Sequence, residues 1–305
     1  MTESFNPSTS TIPAAKGCHI FLHIPKTGGI TLYNIIARQY PKQGICNVRF
    51  DIPESFDTFF ALSDTQRAEI RCLTGHFPFG MHQYLPGPFT YFTVLRDPIG
   101  RFLSEYKYLK DYPEIRSDLP IPLSALKSLE DYLAYSEDAG VLNFQTRQII
   151  GALPYGKLES PLSPLPPDAV AIAKHNLENH FIVVGCLDRF DESVVLMKQR
   201  LEWKHSVFCL PKNTNIRTTS TTDNRPAPAT LDKIQEKLAI DQAIYDFASQ
   251  RLDQAILQAD KEFNKQIKQL KQMTAVASTA RRYYRQWVPQ PIRTLARQIL
   301  SPILR

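Results

Sequence analysis

His23-Ile24-Pro25-Lys26-Thr27-Gly28-Gly29-Ile30-Thr31-Leu32 sets a lysine, two glycines and two hydroxyls between an apolar run and an amphipathic one. Upstream, Cys18-His-Ile-Phe-Leu-His-Ile24 has the length and the bounding proline of a buried strand. Downstream, Leu32, Ile35, Ile36 and Tyr40 recur at helical spacing until Pro41 stops them. A strand, a glycine turn and a helix in that order aim backbone N–H groups and the positive helix end at one point, where an anion such as phosphate can be held. The nucleoside-triphosphatase loop needs its lysine after the glycines, and Lys26 precedes them, so kinase and GTPase readings fall. Taken alone, the stretch reads equally well as a threonine-capped glycine turn.

Two more units repeat the pattern. Phe89–Leu95 is a strand that ends at Arg96-Asp97-Pro98, and Pro98 suits the first turn of a helix running through Leu109. Phe181–Leu187 is a strand that leads into a helix with Phe190, Val194, Met197 and Leu201 on one face. Strands this continuously apolar indicate an α/β fold: a three-layer parallel sheet with helices on both faces and a phosphate-binding strand-loop-helix. The proline-rich stretch 152–167 reads as an extended surface loop, and Leu231 to about Met273 as two helices meeting near Asp241.

With 305 residues, 43% of them hydrophobic, the chain can bury a large core, which excludes wholesale disorder. The expected organisation is a flexible leader over 1–16, one domain over 17–272 and a basic amphipathic tail over 273–305. The formal charge is +6, and six arginines from Arg281 onward, with no acidic residue among them, account for it. The body is therefore close to neutral, which argues against a nucleic-acid partner. The tail mixes those arginines with aromatic and aliphatic residues, a pattern suited to a peripheral membrane surface or to self-association. Five widely spaced cysteines (Cys18, Cys46, Cys72, Cys186 and Cys209) include no CxxC pair. No signal-peptide run occurs, so a cytoplasmic protein with reduced thiols and no metal is expected.

The segment HIPKTGG-x-T resembles the 5′-phosphosulfate loop of sulfotransferases, in particular the heparan-sulfate 2-O-sulfotransferase-like group and its bacterial relatives. Thr74-Gly75-His76-Phe77 resembles that group's Gly-His segment, and Leu95 to Tyr106 its 3′-phosphate element. Asn143–Gln148 and Val184–Ser193 resemble two further segments, so the likeness covers about residues 18–255. It implies the P-loop-like sulfotransferase fold and transfer of a sulfuryl group from 3′-phosphoadenosine 5′-phosphosulfate (PAPS) to a carbohydrate hydroxyl. A nucleotide- or glycan-binding protein that keeps the fold without turnover is the alternative.

The resemblance implies that Lys26, Thr27, Gly28, Gly29 and Thr31 hold the 5′-phosphate, with Lys26 stabilising charge on the leaving group, and that Arg96 and Ser104 hold the 3′-phosphate. The family often has a hydroxyl where Ile30 stands, so one side-chain contact is expected to be missing. His76 is implied as general base, a task suited to a side chain whose ordinary pKa is about 6.5. His82 reads equally as a cleft or a surface residue, and His23 as packing or as an orienter of Lys26. Arg217 and Thr218, with Thr219, stand in a polar stretch that reads either as a cover over the nucleotide or as an ordinary loop.

Overall fold

The computed structural model describes residues 17–112, 121–158, 161–208 and 226–287; for Leu123 and residues 280–287 only the backbone is described. Five strands form one parallel sheet: β1 (Cys18–Leu22), β2 (Ile45–Asn47), β3 (Cys72–Gly75), β4 (Phe89–Leu95) and β5 (Phe181–Cys186). Their order is β2-β3-β1-β4-β5. Ile20, Phe21, Leu22, Tyr91, Phe92 and Leu95 are fully buried. Neighbouring residues on a strand point to opposite faces, so layers cover the sheet on both sides. Burying each such side chain is worth about 1.5–3 kcal/mol.

Parallel strands need crossovers, and helices supply them. Between β1 and β2 runs α1 (Gly29–Gln39), which buries Leu32, Ile35 and Ile36. The short α2 (Glu54–Phe60) and α3 (Asp64–Ala68) lie between β2 and β3. After β4 comes α4 (Pro98–Asp111), started by an Asp97 side chain that accepts from the Gly100 N–H and by proline at the first helical position. Next come α5 (Leu129–Asp138), α6 (Phe144–Ile150) and α7 (Ala169–His180), and after β5 comes α8 (Phe190–Arg200). Phe102 and Leu109 of α4 build a small second core with Tyr132 and Leu133 of α5 and with Ile234.

The C-terminal part departs from the expected helix pair. Among the described residues it holds three helices, α9 (Pro228–Lys237), α10 (Ala239–Leu257) and α11 (Lys261–Trp287), and the first joint is Leu238. Asp241 lies inside α10, fully buried, and accepts from the Gln145 and Thr146 N–H groups and the Thr146 hydroxyl. Asp241 thus sits in the first turn of α10 and at the same time anchors the first turn of α6. Helix α11 runs without interruption past residue 273, where the tail was expected to begin. Among the described residues no helix is long and apolar enough to cross a membrane. The leader 1–16 and the segment beyond Trp287 lie outside the described residues.

Candidate active site

The chain leaves β1 toward one sheet edge and β4 adjoins β1 on the other side, so the strand order reverses here. Crevices at such a reversal, outside the carboxyl ends of the strands, are where open parallel sheets take ligands. The loop His23–Gly28 lies at this end. Lys26 has φ 71° and Gly28 φ 84°, two left-handed residues that fold the chain back onto the start of α1. A side chain at Gly28 would strike Leu187 at 2.7 Å, and one at Gly29 would overlap the His23 ring at 1.6 Å. Glycine is thus demanded by packing on both sides, and the first N–H groups of α1 have no partner within the helix. Thr27 is buried and its hydroxyl donates to the Ile24 carbonyl at 2.8 Å, so it braces the loop from within. Thr31 lines a mainly apolar cavity of about 210 Å³ with Gly28, Leu187, Phe190, Leu270 and Thr274. Ile30 points outward, 56% exposed, and brings no hydroxyl to the loop.

Two cations flank the turn. The Lys26 ammonium lies 3.8 Å above the Tyr108 ring. Burial pushes its pKa down to about 8, with Glu105 opposing that shift and Arg96 and Arg101 adding to it. Arg96 follows β4 and donates to the Lys26 carbonyl at 3.2 Å, tying the ends of β1 and β4 together. Gln145 grips the Arg96 backbone from α6, accepting from its N–H at 3.0 Å and donating to its carbonyl at 2.9 Å. Gln148 of the same helix donates to the His23 and Phe77 carbonyls. The Asn143–Gln148 motif is therefore a clamp holding three loops in place. Ser104 is half-buried, two turns into α4. In the Val184–Ser193 motif, the Ser193 hydroxyl accepts from the Cys186 N–H and so caps the end of β5.

His76 follows β3 directly. Gly75 before it has φ 139°, and a Cβ there would lie 1.9 Å from the Val48 carbonyl oxygen. The His76 ring packs on His23 at 4.3 Å and on Phe50 at 5.4 Å, and its Nδ1 is 3.3 Å from Asp51 Oδ1. Nε2 is buried and meets no hydrogen-bond partner. Burial lowers the pKa of the ring from 6.5; Asp51 and Glu105 work against that shift and Arg49 with it. His23 lies between the loop and His76, its pKa held well below the ordinary value by burial and by His76.

Sequence reasoning passed over Asp51 and Arg49. The Arg49 guanidinium takes both Asp51 oxygens, Nε to Oδ1 at 2.9 Å and a terminal nitrogen to Oδ2. Burial of Asp51 opposes its charge, but the bonds from His76 and Arg49 prevail and hold the carboxyl well below the usual range. His82 is excluded from the site: its Nδ1 bonds the Tyr91 hydroxyl at 3.0 Å, and its ring stacks on Phe89 and His180 where β4 and β5 begin. Arg217, Thr218 and Thr219 lie outside the described residues.

Residues 1–279 match the family model for galactose-3-O-sulfotransferases. Galactose-3-O-sulfotransferase 2 of Mus musculus is 25% identical over 245 residues, 74% of this chain and 59% of that protein. Galactosylceramide sulfotransferase of Bos taurus is 29% identical over 216 residues, 64% of this chain and 49% of that protein. The chain thus spans about half the length of these curated relatives. A crystal structure of the mouse sulfotransferase SULT7A1 complexed with PAP overlaps 77% of this chain and 90% of its own, at 13% identity and a TM-score of 0.41. The match over nearly the whole chain, with the His23–Gly29 turn, Gly75-His76 and Arg96 gathered at one end of the sheet, has a single reading: the chain belongs to the galactose-3-O-sulfotransferase family.

Proposed function

We propose that the protein transfers a sulfuryl group from PAPS to a carbohydrate hydroxyl, the 3-hydroxyl of galactose being the acceptor position that its family's name gives. One observation carries this reading: Lys26, the start of α1 and Arg96 converge on one side of the crevice, and His76 stands on the other, across His23. The residues fit the donor. The N–H groups of Gly29 and Ile30 at the start of α1, with Lys26, suit the 5′-phosphate, Arg96 and Ser104 the 3′-phosphate, and the cavity beside Gly28 the nucleoside.

When bound, PAPS supplies an activated sulfuryl group whose leaving phosphate gathers negative charge. In this reading the Lys26 ammonium stabilises that charge, and His76 Nε2 takes the acceptor proton. The decisive assay incubates the protein with labelled PAPS and a panel of galactosides, other glycans and simple alcohols. Labelled product from wild type, turnover reduced about 10²–10⁴-fold in His76→Ala and calorimetric PAP binding retained in that variant support the reading. Tight PAP binding without turnover on any acceptor would instead make the chain a nucleotide-binding relative.

We further propose a cytoplasmic location; what supports it is that, among the described residues, Cys18, Cys46, Cys72 and Cys186 are free thiols, three of them buried. Residues 281–305 would serve as a peripheral membrane contact or in self-association. Fractionation, and vesicle sedimentation before and after deleting 288–305, test these two points.

A further inference from the structure

His76 has a partner whose role the base assignment leaves open, and the inference below rests on that assignment. The hydrogen bonding that begins in β2 and β3 continues past both strands: the Val48 N–H donates to the Thr74 carbonyl and the Phe50 N–H to the His76 carbonyl, each at 2.9 Å. This pairing delivers the turn after β2 to the edge of the His76 ring. The turn is shaped without the histidine. The Ile52 N–H donates to the Arg49 carbonyl at 3.0 Å, and the Arg49 N–H to the Ser55 hydroxyl at 2.8 Å. Arg49 then grips both carboxylate oxygens of Asp51. The Asp51 carboxylate is therefore fixed before it meets His76 Nδ1 at 3.3 Å.

We propose that Asp51, clamped by Arg49, is the positioning residue that makes His76 a base: it accepts the Nδ1 proton and so leaves the lone pair on Nε2, turned to the acceptor. A carboxylate can only accept, so the neutral ring next to it must carry its proton on Nδ1. In the transfer, the acceptor oxygen bonds to sulfur and the bond from sulfur to the bridging phosphate oxygen breaks, its electron pair leaving with the phosphate. The acceptor proton goes to Nε2, and the imidazolium so formed faces the Asp51 carboxylate. The other charged or titratable groups toward His76 are His23 after β1, Arg49 after β2 and Glu105 on α4. Of the two carboxylates, only Asp51 bonds the ring.

The test uses the full chain carrying Asp51→Asn or Asp51→Glu, read by steady-state kinetics across pH, by calorimetry with PAP and by nitrogen NMR of His76. Asp51→Asn is expected to lose about 10²-fold in turnover, at the lower end of what a positioned base contributes, with the Michaelis constant for PAPS and PAP binding unchanged. Its acidic limb moves to lower pH, because the carboxylate no longer supports the imidazolium, and Asp51→Glu recovers part of the loss. NMR of wild type shows the proton on Nδ1, and Asp51→Asn lowers the His76 titration point. If His76→Ala is inactive while Asp51→Asn matches wild type in turnover, pH profile and titration, this proposal falls alone. If Asn and Glu lose turnover and PAP binding together, Asp51 is structural and the proposal is likewise overturned. If His76→Ala keeps wild-type turnover, the base assignment falls and the proposal with it.

Discussion

Gly29→Ala isolates the contact that joins the phosphate loop to the histidines. A Cβ there would lie 1.6 Å from His23 Nε2 and 2.2 Å from two ring carbons. The ring cannot simply retreat, being stacked on Phe21 at 5.3 Å and packed on His76 at 4.3 Å. Two effects compete. Alanine is the better helix former, by up to about 1 kcal/mol, whereas forcing a methyl into packed surroundings costs about 1–3 kcal/mol. Overpacking wins, and a net loss of about 1–2 kcal/mol is expected, a fall of several degrees in Tm. The assay is a double-mutant cycle by urea denaturation with His23→Ala, which removes the ring. The cycle should return a coupling of about 1 kcal/mol or more, because alanine at 29 no longer clashes in the His23→Ala background. Equal destabilisation by Gly29→Ala in both backgrounds, or none in wild type, would refute the packing argument.

Arg96→Ala and Ser104→Ala should raise the Michaelis constant for PAPS with turnover at saturation nearly kept, because 3′-phosphate contacts lie away from the reacting sulfur and are alike in ground and transition states; lost turnover at unchanged donor affinity contradicts the placement. Lys26 is charged below about pH 8 and loses its proton as pH rises through that value. PAP affinity by calorimetry should therefore fall between pH 7 and pH 9 in wild type, and Lys26→Ala should bind more weakly at pH 7 with most of that dependence gone. The His76 pKa lies below 6.5, so the acidic limb of turnover should centre below 6.5 and vanish from the residual activity of His76→Ala.

What could be read in the sequence follows burial. Strands β1, β4 and β5 are covered on both faces, so each is a continuous apolar run that stands out between turn residues. Strand β2 has three residues at the sheet edge and β3 only four, Cys-Leu-Thr-Gly, too few to show a period. The candidate site divides along the same line. Lys26, Gly28 and Gly29 sit in one contiguous turn, and Arg96 ends a visible strand. Asp51 reaches His76 only through the pairing of the two inconspicuous strands, 25 residues away in the chain. His82 looked like a neighbour of His76, six positions on, but by then the chain is near the start of β4, at the far end of the sheet. The joint at Leu238 lies close to Asp241, where the helical pattern set it, but the pattern could not show that the Asp241 side chain is held inside by partners on α6.

The cavity beside the phosphate loop has walls from opposite ends of the chain: Gly28 and Thr31 on one side, Leu270 and Thr274 of α11 on the other. Ribosomal synthesis supplies the first pair more than 200 residues before the second. A nascent chain therefore completes the surroundings of the His23–Gly29 turn before it has the last wall of the cavity that is proposed to take the nucleoside. On the proposed donor placement, full donor affinity would be a late product of translation, and a chain cut short within α11 would keep Lys26, Arg96 and His76 while losing part of the wall proposed to seat the donor beside them.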